Sequence, residues 1–502
     1  MCGIAGFASK IPLSNPKIIL EKMLLKILKR GPDGKGLWID SSKRVAMGHT
    51  RLSIVDLTSN GNQPMHSNCG KYILSFNGEI YNFRELRKKL NYEWRSTSDT
   101  ETLLAAIVCL GLNKAIKIID GMFAFALFDV ISQEITLVRD RSGEKPLYFS
   151  KHGTSFVFSS DLSAVALHPS QNKKLNLHAV DAFLIHGYVP APLSILSGIN
   201  KLEPGHKACF SLKTGLLNFK QYWKLPTPTN IYKNKHHDEI IDELECTLLT
   251  SVRNTCHADV EIGSLLSGGI DSTLITSLMQ SISKHPIRSF TIGNSNNKFN
   301  EAKDAKKIST FLGTNHTELY VNDDMLVDTC EKINNIYDEP FSDSSKILFY
   351  LVSQLSSSNV KAVLSGDGAD ELFGGYNRYI YGEKISQINS FIPQIIREKI
   401  IYPSLKKLSP LFHQSKRSEV DIKILKLANA IKSENNMEFY TKISSLNYAG
   451  DLGCNSYDLK KKLEEFGICG NQQDQLMHWD FNTYLPDNVL VKVDRASMYC
   501  GL

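Results

Sequence analysis

The sequence predicts an α/β protein built in two halves, each a sheet covered by helices. Two rhythms and a break between them carry this reading. Up to about residue 220, short strand-like runs with Gly and Asn punctuation dominate, interrupted by two helical patterns. Beyond about residue 240, helical patterns alternate with short apolar strands, as in a parallel sheet covered on both faces. Between them, "LPTPTNIYKNKHHDE" (225–239) is rich in Pro, Asn and His and poor in apolar residues, so it reads as a linker. A chain of 502 residues is also too long for one ordinary core.

The elements follow in order. "MCGIAGF" leads into a buried strand and puts a cysteine at position 2. If Met1 is removed, Cys2 carries a thiol and a free α-amine whose pKa lies near neutrality, so one residue holds a nucleophile and its own base. The plainer alternative is a thiol in a tail that enters a strand. "PKIILEKMLLKILKRG" and "DTETLLAAIVCLG" have helical spacing and end in glycine. "KYILSFNGEIYN", "GMFAFALFDV", "EITLVRDR" and "SFVFSSD" read as strands, with Asn77-Gly78 as a hairpin turn between them. In the second half the strands are "EIGSLL", "IRSFTIG" and "KAVLSG", and the stretch from about 376 is almost wholly helical.

Composition removes several function classes. Hydrophobic content of 42% and charged content of 22% are those of a globular protein, and a net charge of +6 is small for this length. Lys460–Lys462 and the basic residues of 397–417 are interleaved with apolar or acidic residues, so they read as helix faces rather than a nucleic-acid track. Ten cysteines without a C-x-x-C pair argue against a zinc site or disulfide framework and suit a reducing compartment. No apolar run is long enough to span a membrane. A cytoplasmic location, with neither nucleic acid nor membrane as partner, is the expectation.

Two loops point to a nucleotide. In "LLSGGIDSTLITSLM" an apolar strand gives way to Ser267, Gly268 and Gly269, and Asp271 and Ser272 open an amphipathic helix. Glycines admit close approach of an anion, and the helix N-terminus offers N–H groups and a favourable dipole. Asp271 would repel a phosphate unless Mg²⁺ lies between them. "AVLSGDGADELFGGY" repeats the pattern with Asp367, Asp370 and Glu371. Loops at the carboxyl ends of parallel strands face one crevice, so Asp271 and Asp370 are expected to share one metal ion. No Walker-A pattern occurs.

These residues resemble a known family. "MCGIAGF", "RGPDG", "GHTRLSIVD", "NGEIYN", "SDTE" and "RDRSGEKPLYF" are similar to the glutaminase half of class II glutamine amidotransferases of the asparagine synthetase family. "LLSGGIDS", "FTIG", "FNEAKDA", "LGTNHTE", "EPFSDSS", "LSGDGADELFGGY" and "LPDNVLVKVDRASM" are similar to the synthetase half. The resemblance implies an αββα N-terminal-nucleophile hydrolase sandwich over residues 1–210 and a linker over 211–239. Over 240–502 it implies a PP-loop, ATP pyrophosphatase-type domain with a helical extension.

It also implies roles. Cys2 would be the nucleophile, with the side-chain amide of Asn77 and the N–H of Gly78 as oxyanion hole. Arg51 would clamp the glutamine carboxylate within a pocket strand that includes Leu52, Ser53, Ile54 and Val55. Glu79 and Asp99 would hold its ammonium. Leu266 and Ile292 would meet adenine, Ser267 to Ser272 (with Gly268, Gly269 and Asp271) the pyrophosphate, and Ser365 and Gly366 the nucleotide. Asp367 would lie near the adenylated carboxylate, and Asp271 and Asp370 would hold Mg²⁺. The implied activity is that of a ligase: ATP-dependent amidation of aspartate by ammonia from glutamine, carried through a tunnel, with AMP and pyrophosphate released. The alternatives are a carboxylated sugar of surface-polysaccharide assembly as acceptor, or glutaminase activity alone. A homodimer is a further expectation. The chain ends at "DRASMYCGL", before an E-x-R-x-P-F-L-D-like stretch and a lysine-containing segment that the resemblance leads one to expect, so the synthetase half is expected to be incomplete.

Overall fold

In a computed structural model, all residues are described except 1, 227–231, 233–234, 295–299, 381, 383–390, 409–418, 434–435 and 447–470. The run Lys460–Lys462 and the 409–417 portion of the basic stretch therefore lie outside the described residues, whereas 397–408 is helical.

The first half holds two six-stranded antiparallel sheets. One runs in the order β10 (Asn200–Lys201), β8 (Tyr148–His152), β9 (Ser155–Ser159), β1 (Gly3–Ser9), β3 (Val45–Arg51), β2 (Gly34–Ile39). The other runs β12 (Leu217–Gln221), β11 (His206–Ser211), β7 (Glu134–Arg139), β6 (Gly121–Asp129), β5 (Tyr72–Ile80), β4 (Met65–His66). The two-residue period of the strands sorts side chains between layers. In β6, Ala124, Ala126 and Phe128 face the core between the sheets, while Phe123, Phe125 and Leu127 face the helix Asp99–Leu110. In β1, Ile4 and Ala8 point between the sheets, and Ala5 and Phe7 meet Leu20, Met23 and Leu24 of the helix Pro16–Lys26. The layers are thus helix, sheet, sheet, helix.

Two expectations are corrected here. Asn77 and Gly78 are not a hairpin turn: they lie within β5, paired with Ala124 and Phe123 of β6. Gly78 has φ +154° and a Cβ there would sit 2.1 Å from the Met122 carbonyl, so this step of the strand requires glycine. The stretch 211–239 is also not all linker. The turn at 212–214 returns the chain as β12, which pairs with β11 through Phe210↔Leu217, because Leu217 extends the core between the sheets.

The second half carries a four-stranded parallel sheet in the order β15 (Asn315–Val321), β14 (Arg288–Asn294), β13 (Ile262–Leu265), β16 (Ala362–Leu364). The helices His237–Thr255 and Ile270–Ile282 bury Val252, Leu278 and Met279 on one side. The helices Ser345–Ser357 and Leu490–Tyr499 pack on the other. Among the described residues no helix is long and apolar enough to cross a membrane, and the eight described cysteines are all free.

The halves meet across a buried ionic seam. Arg30 makes a two-pronged pair with Asp494 at 2.8 and 2.9 Å, and Lys145 adds a contact at 3.4 Å. Arg495 pairs with Asp161 and, at 3.4 Å, with Asp338. Burial pushes the Asp494 carboxyl up, but Arg30 and Lys145 outweigh it and hold it well below the usual carboxylate range.

Candidate functional site

The first site surrounds Cys2. Its backbone N–H donates to Asn77 Oδ1 at 3.0 Å, its Sγ–H reaches the Leu52 carbonyl at 3.8 Å, and its own carbonyl accepts from Arg30 Nε at 3.2 Å. Cys2 is therefore tied to β5, to the segment that follows β3 and to the seam between the halves. Burial pushes the Cys2 thiol up, so the neutral thiol is the resting form. Because Oδ1 of Asn77 is engaged by Cys2, the amide's Nδ2 points the other way, and it is buried without a hydrogen-bond partner.

Beside Cys2 lies a cavity of about 40 Å³ lined by Arg51, Leu52, Ile54, Val55, Gly78, Glu79 and Asp99 among others. Arg51 donates through Nη1 to the Thr58 carbonyl at 2.7 Å and Asn62 Oδ1 at 3.0 Å, and through Nη2 to the Asp56 carbonyl. These bonds fix the guanidinium plane. Asp99 opens the helix Asp99–Leu110, whose cap is Ser98, and accepts from the Ile80 and Thr100 N–H groups at 2.9 and 2.8 Å. Burial lifts its carboxyl to about 6 against those donors. Burial and then the Asp99 charge lift Glu79 to about 8. Two carboxyls raised this far in one pocket form a site whose acids are stabilised as carboxylates by a positive charge. Ser53 is not brought in: its N–H donates to Asp33 at 2.9 Å, outside the pocket lining.

The second site is a cavity of about 440 Å³ at the carboxyl ends of β13, β14 and β16. Leu266, Ser267, Gly269, Asp271, Ser272, Ile292, Ser365, Gly366, Asp367 and Asp370 all line it. Gly268 does not; at φ +89° it makes the turn, close to Ala305 N. Ser267 Oγ and Ser272 Oγ lie 2.9 Å apart across the loop, and the Gly269 N–H donates to Ser267 Oγ at 3.3 Å. The lining combines an apolar cluster (Phe290, Ile292, Phe349, Val352) with acids that act on one another (Asp271, Asp367, Asp370). Burial and then the Asp271 charge raise the Asp370 carboxyl. Two acids that repel across one cavity form a donor set that fits Mg²⁺, which takes one or two carboxylates and keeps other oxygens and water in its shell. Among the described residues no three His, Cys, Asp or Glu side chains converge as a self-contained metal cage.

The structure adds residues that sequence reading missed. Lys492, in "LPDNVLVKVDRASM", pairs with Asp367 at 3.3 Å and is the one cation lining this cavity among the described residues. Tyr376, Tyr484, Glu301 and Asp343 complete the wall. Lys492, Glu301, Asp343 and Tyr376 all lie within quoted motifs and Tyr484 directly precedes one, but no spacing rule links them to the glycine loops.

Between the two sites is a third cavity of about 260 Å³. It shares Ile54 and Glu79 with the Cys2 pocket, and Leu265, Phe349, Ser365 and Asp367 with the larger cavity. The three cavities therefore stand in line, wall to wall.

Comparison with known proteins agrees with this division. A family model described as a glutamine amidotransferase domain matches residues 1–223, and one described as asparagine synthase matches residues 243–502. A protein of Methanocaldococcus jannaschii assigned as asparagine synthetase [glutamine-hydrolyzing] 2 is 33% identical, over 99% of this chain and 98% of its own length. Asparagine synthetase [glutamine-hydrolyzing] 1 of Bacillus subtilis is 33% identical over 77% of this chain and 60% of its own length. Amidase chry2 of Gibberella zeae is 28% identical over 76% of this chain and 60% of its own. The matched region thus spans nearly all of the first relative and about 60% of the other two.

Proposed function

Because this chain belongs to the asparagine synthase family and carries a glutamine amidotransferase domain at its N-terminus, we propose that it moves the side-chain nitrogen of glutamine onto a carboxylate at the expense of ATP, with aspartate as acceptor and asparagine as product. The single observation that carries the reading is the line of three cavities joining a nucleophile pocket to a glycine-loop pocket.

In the first pocket Arg51 receives the glutamine α-carboxylate in a planar two-donor contact. Glu79 and Asp99 take its ammonium. With Met1 removed, the α-amine of Cys2 accepts the thiol proton, and the thiolate attacks the side-chain carbonyl. The developing oxyanion meets Asn77 Nδ2, the donor left without a partner, together with the Gly78 N–H. The Cys2 α-ammonium gives that proton to the departing nitrogen, ammonia leaves, and water then hydrolyses the thioester to glutamate and the free thiol. The roughly αββα domain of residues 1–223, ending with β12 rather than at 210, is the unit that performs this step.

In the second pocket the apolar lining around Leu266 and Ile292 suits adenine. The start of the helix Ile270–Ile282, with Ser267, Gly269 and Ser272, suits the pyrophosphate. Asp271 and Asp370 would hold a magnesium ion, which would screen phosphate charge as pyrophosphate leaves. Lys492 brings positive charge beside Asp367, where the acceptor carboxylate would attack the α-phosphorus. Ammonia crossing the middle cavity then displaces AMP from the acyl-adenylate. ATP–pyrophosphate exchange with aspartate against a panel of uronic acids tests the acceptor. Exchange with a uronic acid and none with aspartate would replace asparagine synthesis by sugar amidation.

A further inference from the structure

One half-buried carboxyl lies between the two chemistries and is used by neither. Glu144 follows β7, and its N–H donates to Asp140 Oδ1 at 2.9 Å, which fixes the backbone. Its neighbour Lys145 is held by Asp494 in the seam. Among the described residues the Glu144 carboxyl has neither a hydrogen bond nor an ion pair, and it faces the middle cavity. A half-buried carboxyl that has no protein partner and opens on a cavity is free to hold an occupant. The charged groups around it are Glu79, Lys145, Lys361, Asp367 and Asp494, with the Tyr81 hydroxyl. Lys145 is committed to Asp494, and Lys361 to Asp33 at 3.3 Å. Asp494 and Asp367 have cations of their own, Arg30 with Lys145 and Lys492, so no lining cation is left over for Glu144. That suits a small hydrogen-bond donor or monovalent cation.

Retention at this point has a purpose. Tyr81 lines both the middle cavity and a cleft of about 820 Å³ beside the helix His237–Thr255, so it stands between the passage and an outer opening. Neutral ammonia slips past such a partition more readily than a charged, hydrogen-bonded ion does.

Resting on the transfer reading above, we propose that Glu144 is a holding site for ammonia in transit. The step is a reversible proton transfer: the Glu144 carboxylic acid gives its proton to NH₃, leaving an ammonium ion hydrogen-bonded to the carboxylate. The proton returns to Glu144 as neutral ammonia moves on toward Asp367, and no net proton is consumed. Burial lifts this carboxyl to about 7, with Lys145 opposing and Asp140 and Asp494 adding to the shift, so the acid form is available at neutral pH.

The test uses the full chain with ATP and the acceptor found by exchange, and measures glutamine consumed per amide formed. Glu144→Gln keeps the shape but cannot give the proton, and loss of one charge-assisted contact should raise that ratio by about tenfold. The gap from the parent should be widest below pH 7 and shrink above it, where the parent also lacks the proton. Glu144→Asp should recover part of the coupling. A second readout does not need the reaction: ammonium chloride should raise the melting temperature of the parent more than sodium or potassium chloride at equal ionic strength, and this excess should vanish in Glu144→Gln and Glu144→Leu. Equal coupling ratios at every pH, or an ammonium effect that survives both substitutions, would overturn the proposal. If the parent forms no amide with any acceptor, the transfer reading fails, and the melting comparison still decides whether Glu144 holds ammonium.

Discussion

Replacing Asn77 with alanine separates catalysis from stability. Asn77 is fully buried in β5, with Oδ1 engaged by the Cys2 N–H and Nδ2 left without a partner. In the free protein that orphaned donor is a liability of about 1–3 kcal/mol, whereas the Cys2 bond contributes about 0.5–1.5 kcal/mol. Alanine removes the orphaned donor but leaves the Cys2 N–H without its acceptor, a cost of similar size, so the terms oppose, and the unfolding free energy should stay within about 2 kcal/mol of the parent. Turnover should respond very differently. One positioned donor to an oxyanion is worth on the order of 10²–10³ in rate. The assay is glutamine hydrolysis without ATP, alongside denaturant unfolding of the same preparation. Asn77→Asp is the companion variant: it keeps an acceptor for the Cys2 N–H, loses the donor and adds a repelling charge, so its loss should be at least as large. A variant that is folded and hydrolyses glutamine within about tenfold of the parent would refute the oxyanion assignment.

The remaining predictions follow from the same geometry. Cys2→Ala should abolish glutamine-driven amidation and leave amidation driven by added ammonia, and mass spectrometry should find Met1 absent from the parent; a retained Met1 removes the proposed base. Glutamine kcat/KM should rise with pH as Asp99 ionises near 6 and Glu79 near 8, since only the carboxylates attract the ammonium. The stability these two groups contribute has the opposite sense. Their folded values lie above the ordinary carboxylate range, so it is full below about pH 4 and lost as pH rises through 6 and 8. Asp271→Asn should move the Mg²⁺ dependence of pyrophosphate exchange to concentrations at least about tenfold higher, and an unchanged dependence would return Asp271 to a structural role. Asp494→Ala leaves Arg30 and Lys145 buried without their shared partner and should destabilise the chain by about 3–5 kcal/mol in denaturant unfolding.

What could be read from the sequence was what short-range physics fixes. Alternation marked β5, β6 and β9, and helical spacing with a glycine stop marked Asp99–Leu110, because each pattern reports which face of one element is buried. The glycine loops were legible because few functions require two glycines and an acid between a strand and a helix. Local rules failed where tertiary pairing decides. Asn77-Gly78 has the dipeptide of a turn, yet β6 holds it in register as strand. The partners Arg30 and Asp494 are separated by 464 positions, and nothing in either segment announces the other. Glu144 belongs to a quoted motif, but its want of a partner appears only once the halves close around the middle cavity.

The central claim is that nitrogen passes from the Cys2 pocket to the glycine-loop pocket without entering solvent. It is tested most directly with glutamine labelled with ¹⁵N in its side-chain amide, supplied with ATP and the acceptor in a solution containing excess unlabelled ammonium. The account predicts product whose amide keeps the ¹⁵N undiluted in mass spectrometry. An amide diluted to the isotope ratio of the bulk solution would contradict it.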